Sequence, residues 1–110
     1  MTLHTYSCTV IRTIDGDTCE VAIDLGFHVT LRRLVRLRGI NAPEVHGETK
    51  AAGERAAAHL FGLTVNKRLT IQTYLDKNDK YGRVLGVLFD GTINLNDMMV
   101  KDGCAVPYMV

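Results

Sequence analysis

The stretch Thr9-Val10-Ile11-Arg12-Thr13-Ile14-Asp15-Gly16-Asp17-Thr18-Cys19-Glu20-Val21-Ala22-Ile23-Asp24-Leu25 decides the fold. Two runs rich in β-branched residues flank Asp15-Gly16-Asp17, a strong turn signal, so the chain begins with a hairpin. Gly26 turns the chain again, and Phe27 to Ile40 reads as a long third strand. Its apolar and basic residues do not alternate cleanly. A bulge or sharp coiling of that strand, which small barrels need, would account for the irregularity.

The period then changes. From Glu48 to Leu63, Ala52, Ala56, Leu60 and Leu63 recur at helical spacing in an alanine-rich segment, with Gly53 weakening it slightly. Arg68 to Leu75 returns to period two, with Leu69, Ile71, Thr73 and Leu75 on one face. Val84 to Phe89 is apolar on both faces and belongs in the middle of a sheet. Asp90-Gly91 closes a tight turn. Asn94 then has the position of a helix N-cap, with Asp97 three residues on in a capping-box arrangement. Leu95, Met98 and Met99 form the apolar stripe of that helix, and Gly103 is a natural end. The resulting class is α+β, mainly β. It is a five-stranded Greek-key OB barrel with one helix between strands three and four and another after strand five. Consecutive antiparallel strands argue against a doubly wound sheet.

Composition sets outer limits. The 110 residues make one domain, and an apolar fraction of 46% is too high for disorder. No apolar run reaches the length of a membrane span. Met1-Thr2-Leu3-His4-Thr5-Tyr6 lacks the features of a signal peptide, so a cytoplasmic location is expected. Cys8, Cys19 and Cys104 are odd in number and share no metal-ligand spacing, which favours reduced thiols. The net charge of +1 says little, but its distribution says more: Arg32, Arg33, Arg36 and Arg38 crowd one segment, and Lys77, Lys80 and Arg83 another.

Three polar clusters interrupt the apolar strands. Asp15 and Asp17 flank one glycine, and carboxylates so spaced can both reach one hard cation. Taken alone, a plain hairpin turn is the simpler reading. Asn41-Ala42-Pro43-Glu44 ends the long strand. Pro43 stiffens the approach to Glu44 and can present the Ala42 carbonyl outward. The Asn41 amide oxygen, the Ala42 carbonyl and Glu44 would complete a metal and water site begun by Asp17; a solvated loop exit is the alternative. Arg36 lies in the strand leading there, either as a snorkelling side chain or as a guanidinium fork for phosphate. Asp79-Lys80-Tyr81-Gly82-Arg83 is a solvated hairpin or a phosphate clamp. His46, two residues beyond Glu44, is a minor candidate for a ligand or acid. No Ser-His-Asp or Cys-His pairing, Walker-type loop or zinc spacing is present.

Together, Ile14 to Thr18, Arg36 to Glu44 and Asp79 to Arg83 resemble the staphylococcal nuclease (thermonuclease-like) family. The pattern is Ile-Asp-Gly-Asp-Thr, an arginine-bearing strand ending in Pro-Glu, then Asp-Lys-Tyr-Gly-Arg. The resemblance runs from about Val10 to Ala105. It implies an OB-fold domain over residues 1–110 and Ca2+-dependent hydrolysis of DNA or RNA, leaving 3′-phosphate ends. It places catalysis on Arg36, Arg83 and Glu44. It places metal ligation on Asp17, Asn41 and the Ala42 backbone carbonyl, with Asp15 and Glu44 acting through water. Lys80 and Tyr81 fall on residues that contact the terminal phosphate, and Tyr108 on a substrate contact.

The chain departs from the family pattern in four respects. Asn41 stands where the family carries a second aspartate, which keeps an oxygen ligand but removes one negative charge. The Thr18–Arg36 hairpin is several residues longer, and the loop after Glu44 shorter. The sequence stops at Val110 without the family's usual further helix, so apolar surface near Val106-Pro107-Tyr108-Met109-Val110 is expected to be covered by self-association or by a longer parent chain. The alternatives to an enzyme are a non-catalytic nucleic-acid-binding OB module and, third, a protein-interaction module. Retention of Asp17, Arg36, Glu44 and Arg83 together favours the enzyme.

Overall fold

A computed structural model of the chain describes residues 4–74 and 82–108. Five strands form the barrel: β1 (Thr5–Asp15), β2 (Thr18–Asp24), β3 (Thr30–Leu37), β5 (Leu69–Tyr74) and β6 (Val84–Asp90). Short strands β4 (Ile40–Asn41), β7 (Ile93–Asn94) and β8 (Val106–Pro107) flank it, with helices α1 (Lys50–Thr64) and α2 (Leu95–Lys101). The strand order is β3-β2-β1-β5-β6, and a parallel β3–β6 pairing closes the sheet on itself. All other pairings are antiparallel. This is the OB-type barrel expected from the sequence, and closure removes the free edges an open sheet would expose.

The bend the sequence calls for lies in β1 rather than in the third strand. Register shifts fall between Val10 and Arg12 and between Thr13 and Asp15. They allow one long strand to pair with β2 along its length and with β5 at its start. The third strand is shorter than Phe27 to Ile40. Gly26, Phe27 and His28 all take left-handed φ values of 81°, 55° and 62°, so the turn consumes the first residues. At the other end Gly39, at φ 83°, separates β3 from β4, which pairs with β8.

The core is aliphatic, with Val21, Val35, Leu37, Leu60, Ile71, Leu88 and Met99 almost wholly buried. Cys8 and Cys19 are also buried, and burial pushes their thiols up to about 11 and about 12, so both stay protonated at neutral pH. Helix α1 buries Gly53, Ala56, Leu60 and Thr64 against the barrel, one residue round from the expected Ala52 and Leu63. Helix α2 starts as expected: Asn94 Oδ1 accepts from Asp97 N at 3.0 Å. It ends in a Schellman motif, with Gly103 N donating to Val100 O at 3.0 Å and Cys104 N to Met99 O at 2.9 Å. Among the described residues, no helix is long and apolar enough to cross a membrane.

Candidate active site

The site forms where the β1–β2 turn, the end of β3, the Asn41–Glu44 loop and the start of α1 meet. Gly16 permits that meeting. A Cβ there would lie 2.7 Å from both the Ala42 and Ala56 Cβ atoms. Only glycine lets the acidic turn, the loop and the helix approach so closely.

Asp17 is the hub and is only 7% exposed. Its Oδ2 accepts from Ala42 N at 2.8 Å and lies 3.4 Å from Arg36 Nη1. Its Oδ1 accepts from the Thr18 hydroxyl at 3.2 Å, and its backbone O accepts from Leu37 N at 2.8 Å. Asp17 thus ties the first polar cluster to the second across the barrel end. Asp15 Oδ1 accepts from Asp17 N at 3.0 Å. Burial, and next the carboxyl of Asp17, push the Asp15 carboxyl up to about 6. Two carboxyl groups in a partly dry site resist ionising together, and a cation between them would relieve that.

Arg36 is held as firmly. Thr18 faces it across the β2–β3 ladder, and Leu85 flanks it on β6. Its Nη1 donates to Leu37 O at 3.1 Å and Ile40 O at 2.9 Å, and its Nη2 to Asn41 Oδ1 at 3.2 Å. These bonds account for three of the five N–H donors of a guanidinium. The Tyr108 ring lies under the group, its centroid 5.9 Å from Cζ. Asp15, Asp17, Arg36, Asn41, Ala42 and Tyr108 therefore converge.

Glu44 sits apart. Its side chain is 73% exposed, and Oε2 lies 3.0 Å from His46 Nε2. Its backbone is nonetheless fixed, because Thr49 Oγ1 donates to Glu44 O at 2.8 Å. A Cβ on Gly53 would fall 2.1 Å from that same oxygen, so glycine in α1 is what lets the helix dock on the Glu44 loop. Arg83 directly precedes β6, whose Val84 pairs with Val35, and is half-buried. Lys80 and Tyr81 lie outside the described residues.

The donor set of Asp15, Asp17, Asn41 and the Ala42 carbonyl contains only oxygens, the ligand type that Ca2+ and Mg2+ prefer. Among the described residues, no three His, Cys, Asp or Glu side chains cluster as a metal site. An amide and a carbonyl make up the set instead of a third acid. Asp17 Oδ1 keeps a second lone pair beyond its bond from Thr18, while Oδ2 faces both Ala42 N and Arg36 Nη1. The residues present fit a hard cation.

Sequence reading missed Asn96. It is 2% exposed on α2, where the expected stripe held Leu95, Met98 and Met99. Its Oδ1 accepts from Leu88 N at 3.2 Å, and its Nδ2 donates to Arg38 O at 2.9 Å and Gly86 O at 3.0 Å. One amide thus fastens α2 to β6 and to the segment after β3. The detectable signal is that Asn96 lies three residues before Met99 and next to Leu95, on the side of the helix that carries the apolar stripe, two residues after the asparagine that serves as the cap.

A closed OB-type barrel carrying paired aspartates, a fixed arginine and a Pro-Glu loop at one end defines a class of small barrel domains with an acidic and basic site. The chain belongs to the staphylococcal nuclease family: the family described as "Staphylococcal nuclease homologue" matches residues 34–110. It is 36% identical to micrococcal nuclease of Shigella flexneri over 90% of this chain and 56% of that protein. It is 30% identical to an endonuclease of Bacillus subtilis over 96% of this chain and 9% of that protein. Thermonuclease of Staphylococcus hyicus is 29% identical over 87% of this chain and 56% of its own length. The chain spans about half the length of the Shigella and Staphylococcus relatives it matches.

Proposed function

We propose that this chain is a Ca2+-dependent nuclease that hydrolyses phosphodiester bonds of DNA or RNA and leaves 3′-phosphate ends. The observation that carries the reading is Arg36. Its guanidinium is immobilised by Leu37, Ile40, Asn41 and Asp17, beside a buried aspartate pair. A fork fixed before substrate arrives costs no reorganisation when charge develops on phosphorus. Family membership and the names of the relatives support the same reading.

In this reading Arg36 and Arg83 bind the phosphate and stabilise the pentacoordinate charge. Glu44 orients a water for in-line attack and takes its proton, exchanging His46 for that water. The water oxygen forms the new bond to phosphorus as the bond to the 5′-oxygen breaks. Asp17, Asn41 and the Ala42 carbonyl would hold Ca2+, with Asp15 and Glu44 acting through water. When bound, the cation supplies positive charge beside a phosphate oxygen. Tyr108 supports Arg36 from below, and Lys80 and Tyr81 are assigned to the terminal phosphate.

Release of acid-soluble nucleotides from DNA and RNA, with added Ca2+ and with EDTA, tests the proposal. Expected is cleavage that EDTA abolishes and Ca2+ restores, with 3′-phosphate ends. Cleavage indifferent to chelator would overturn the metal assignment. Binding without cleavage would make the domain a non-catalytic nucleic-acid module.

A further inference from the structure

Beside the proposed site lies a second cation–aromatic pair that the reaction does not use. The Arg38 guanidinium sits 4.2 Å above the Tyr74 ring. Its position relative to Arg36 follows from the sheet. Arg36 pairs with Leu85, and Leu85 pairs with Tyr74, so these three residues form one row across β3, β6 and β5. Partners in a row project to the same face, and neighbouring strands lie about 4.8 Å apart, so the outer two are about 10 Å apart. Arg38 is two residues beyond Arg36, and its side chain closes over the Tyr74 end of that row.

The pair is exposed yet held in place. Tyr74 is 37% exposed and Arg38 is exposed. Arg38 N donates to Gly86 O at 2.9 Å, and Arg38 O accepts from the buried Asn96. The Tyr74 hydroxyl donates to Gln72 Oε1 at 3.3 Å. Arg36 over Tyr108, at 5.9 Å, is a second and looser arginine–tyrosine pair of the same fold, two residues earlier in the chain. A guanidinium lying on an aromatic ring turns its other flat face to solvent. Unpaired bases stack on such planes, while base pairs in a duplex keep their faces covered.

We propose that Arg38, stacked on Tyr74, is a platform for one unpaired base of the nucleic-acid strand flanking the scissile phosphate. The inference deepens the nuclease reading, since the polymer is the one that reading names. Its chemistry is a positive plane for a base face together with a charge for the adjoining phosphate.

Fluorescence anisotropy of a short dye-labelled single strand and of the matching duplex, in EDTA, tests it. Wild type is expected to bind the single strand more tightly than the duplex. Arg38→Ala is expected to weaken single-strand binding about tenfold, the range for loss of one stacked base. It should also lower the slope of log affinity against log salt by about 0.7, one phosphate contact on a single strand. Arg38→Lys keeps the charge and loses the plane, so it should retain the salt slope but lose affinity. Tyr74→Ala should lose affinity likewise. Lys67→Ala removes a cation paired with Asp90 elsewhere and serves as the charge control, with affinity unchanged. Wild-type affinity in Arg38→Ala, equal losses for duplex and single strand, or a lowered Tm with unchanged affinity would each overturn the platform. Single-strand preference lost in Arg38→Ala, in a protein that cuts nothing, would overturn the nuclease reading and leave the platform standing.

Discussion

The β2–β3 pair has two ends built on opposite principles. At the site end, Asp17 and Thr18 are buried and polar, and every described oxygen of the Asp17 carboxylate has a donor. At the hairpin end, Leu25, Phe27 and Val29 are apolar and exposed, Phe27 at 98%. The hairpin turn rests on backbone bonds between Leu25 and Val29 and between Val29 and Gly26, with Asp24 Oδ1 accepting from Gly26 N. Buried polar groups are costly unless all are satisfied, so the site end admits one geometry. The hairpin end has little packing to lose. Substitutions should therefore act strongly at one end and weakly at the other.

The largest effects belong to the site's charges. Arg36→Ala, Arg83→Ala and Glu44→Gln should each lower single-turnover cleavage by about 10²–10³, the loss seen when one preorganised transition-state donor is removed. Arg36→Lys should fail to restore it, since an ammonium cannot reach Leu37, Ile40 and Asn41 together. Rates within a few-fold of wild type would remove these residues from the chemistry and erase the contrast between the ends.

Next come the two glycines of α1 at the site end and beyond it. Alanine in a helix interior is normally better than glycine by up to about 1 kcal/mol. Gly62 has open space where a Cβ would go, so Gly62→Ala should stabilise by roughly that amount. At Gly53 the Cβ would meet Glu44 O at 2.1 Å and Val45 Cα at 2.8 Å. Gly53→Ala should instead cost about 1–3 kcal/mol by overpacking, and lower cleavage as the Glu44 loop shifts. Urea denaturation of both variants measures the pair; equal signs would mean the helix is free to move off the loop.

That reversal marks the limit of what the sequence carries. The barrel was legible because its strands alternate or run apolar, and its turns carry Asp15-Gly16, Gly26 and Asp90-Gly91. The second helix was legible down to its caps, since Asn94 and Gly103 act locally. For Asp17, Arg36, Asn41 and Ala42 the residue types alone offered a shared site beside the plainer readings of a turn, a snorkelling arginine and a solvated loop, and the resemblance chose between them. What stayed hidden depends on partners distant in sequence. Gly53 reads as a weak helix residue until Glu44 lies against it. Asn96 reads as surface until the carbonyls of Arg38 and Gly86 converge on it. Tyr74 ends β5 and Arg38 lies in the turn after β3, and only the closed barrel brings them together. The outward turn of Glu44 toward His46 was equally invisible, because side-chain direction in a loop follows no period.

A smaller effect concerns Asn41. Asn41→Asp adds a formal charge beside the proposed cation and should tighten Ca2+ binding, since ligand charge is a main control on affinity. The same oxygen accepts from Arg36 Nη2 at 3.2 Å, so a carboxylate would also bind the guanidinium more firmly. Competition should hold the gain to about tenfold, well inside the span that ligand charge and rigidity produce among natural sites. Calorimetric titration decides it. Equal or weaker binding by the variant would mean that Arg36 keeps the oxygen and the cation does not use it.

The smallest effect should come from the far end. Phe27 takes φ 55° and is almost fully exposed, so it has neither a favoured backbone nor a packing partner to lose. The left-handed region costs most residues about 1–2 kcal/mol and suits asparagine better. Phe27→Asn should relieve part of that strain and remove exposed apolar surface. Its gain is reduced because an isolated phenylalanine in water is a small liability at most. The net change in unfolding free energy should be between zero and about 0.5 kcal/mol in favour of the variant. Cleavage should be unchanged, since the turn lies some six strand residues from Arg36, about 20 Å along β3. Urea midpoints at equal slope, with cleavage rates on the same preparations, test both halves. A loss above about 1 kcal/mol would mean the tip is packed, and a loss of cleavage would mean the hairpin end takes part in binding substrate.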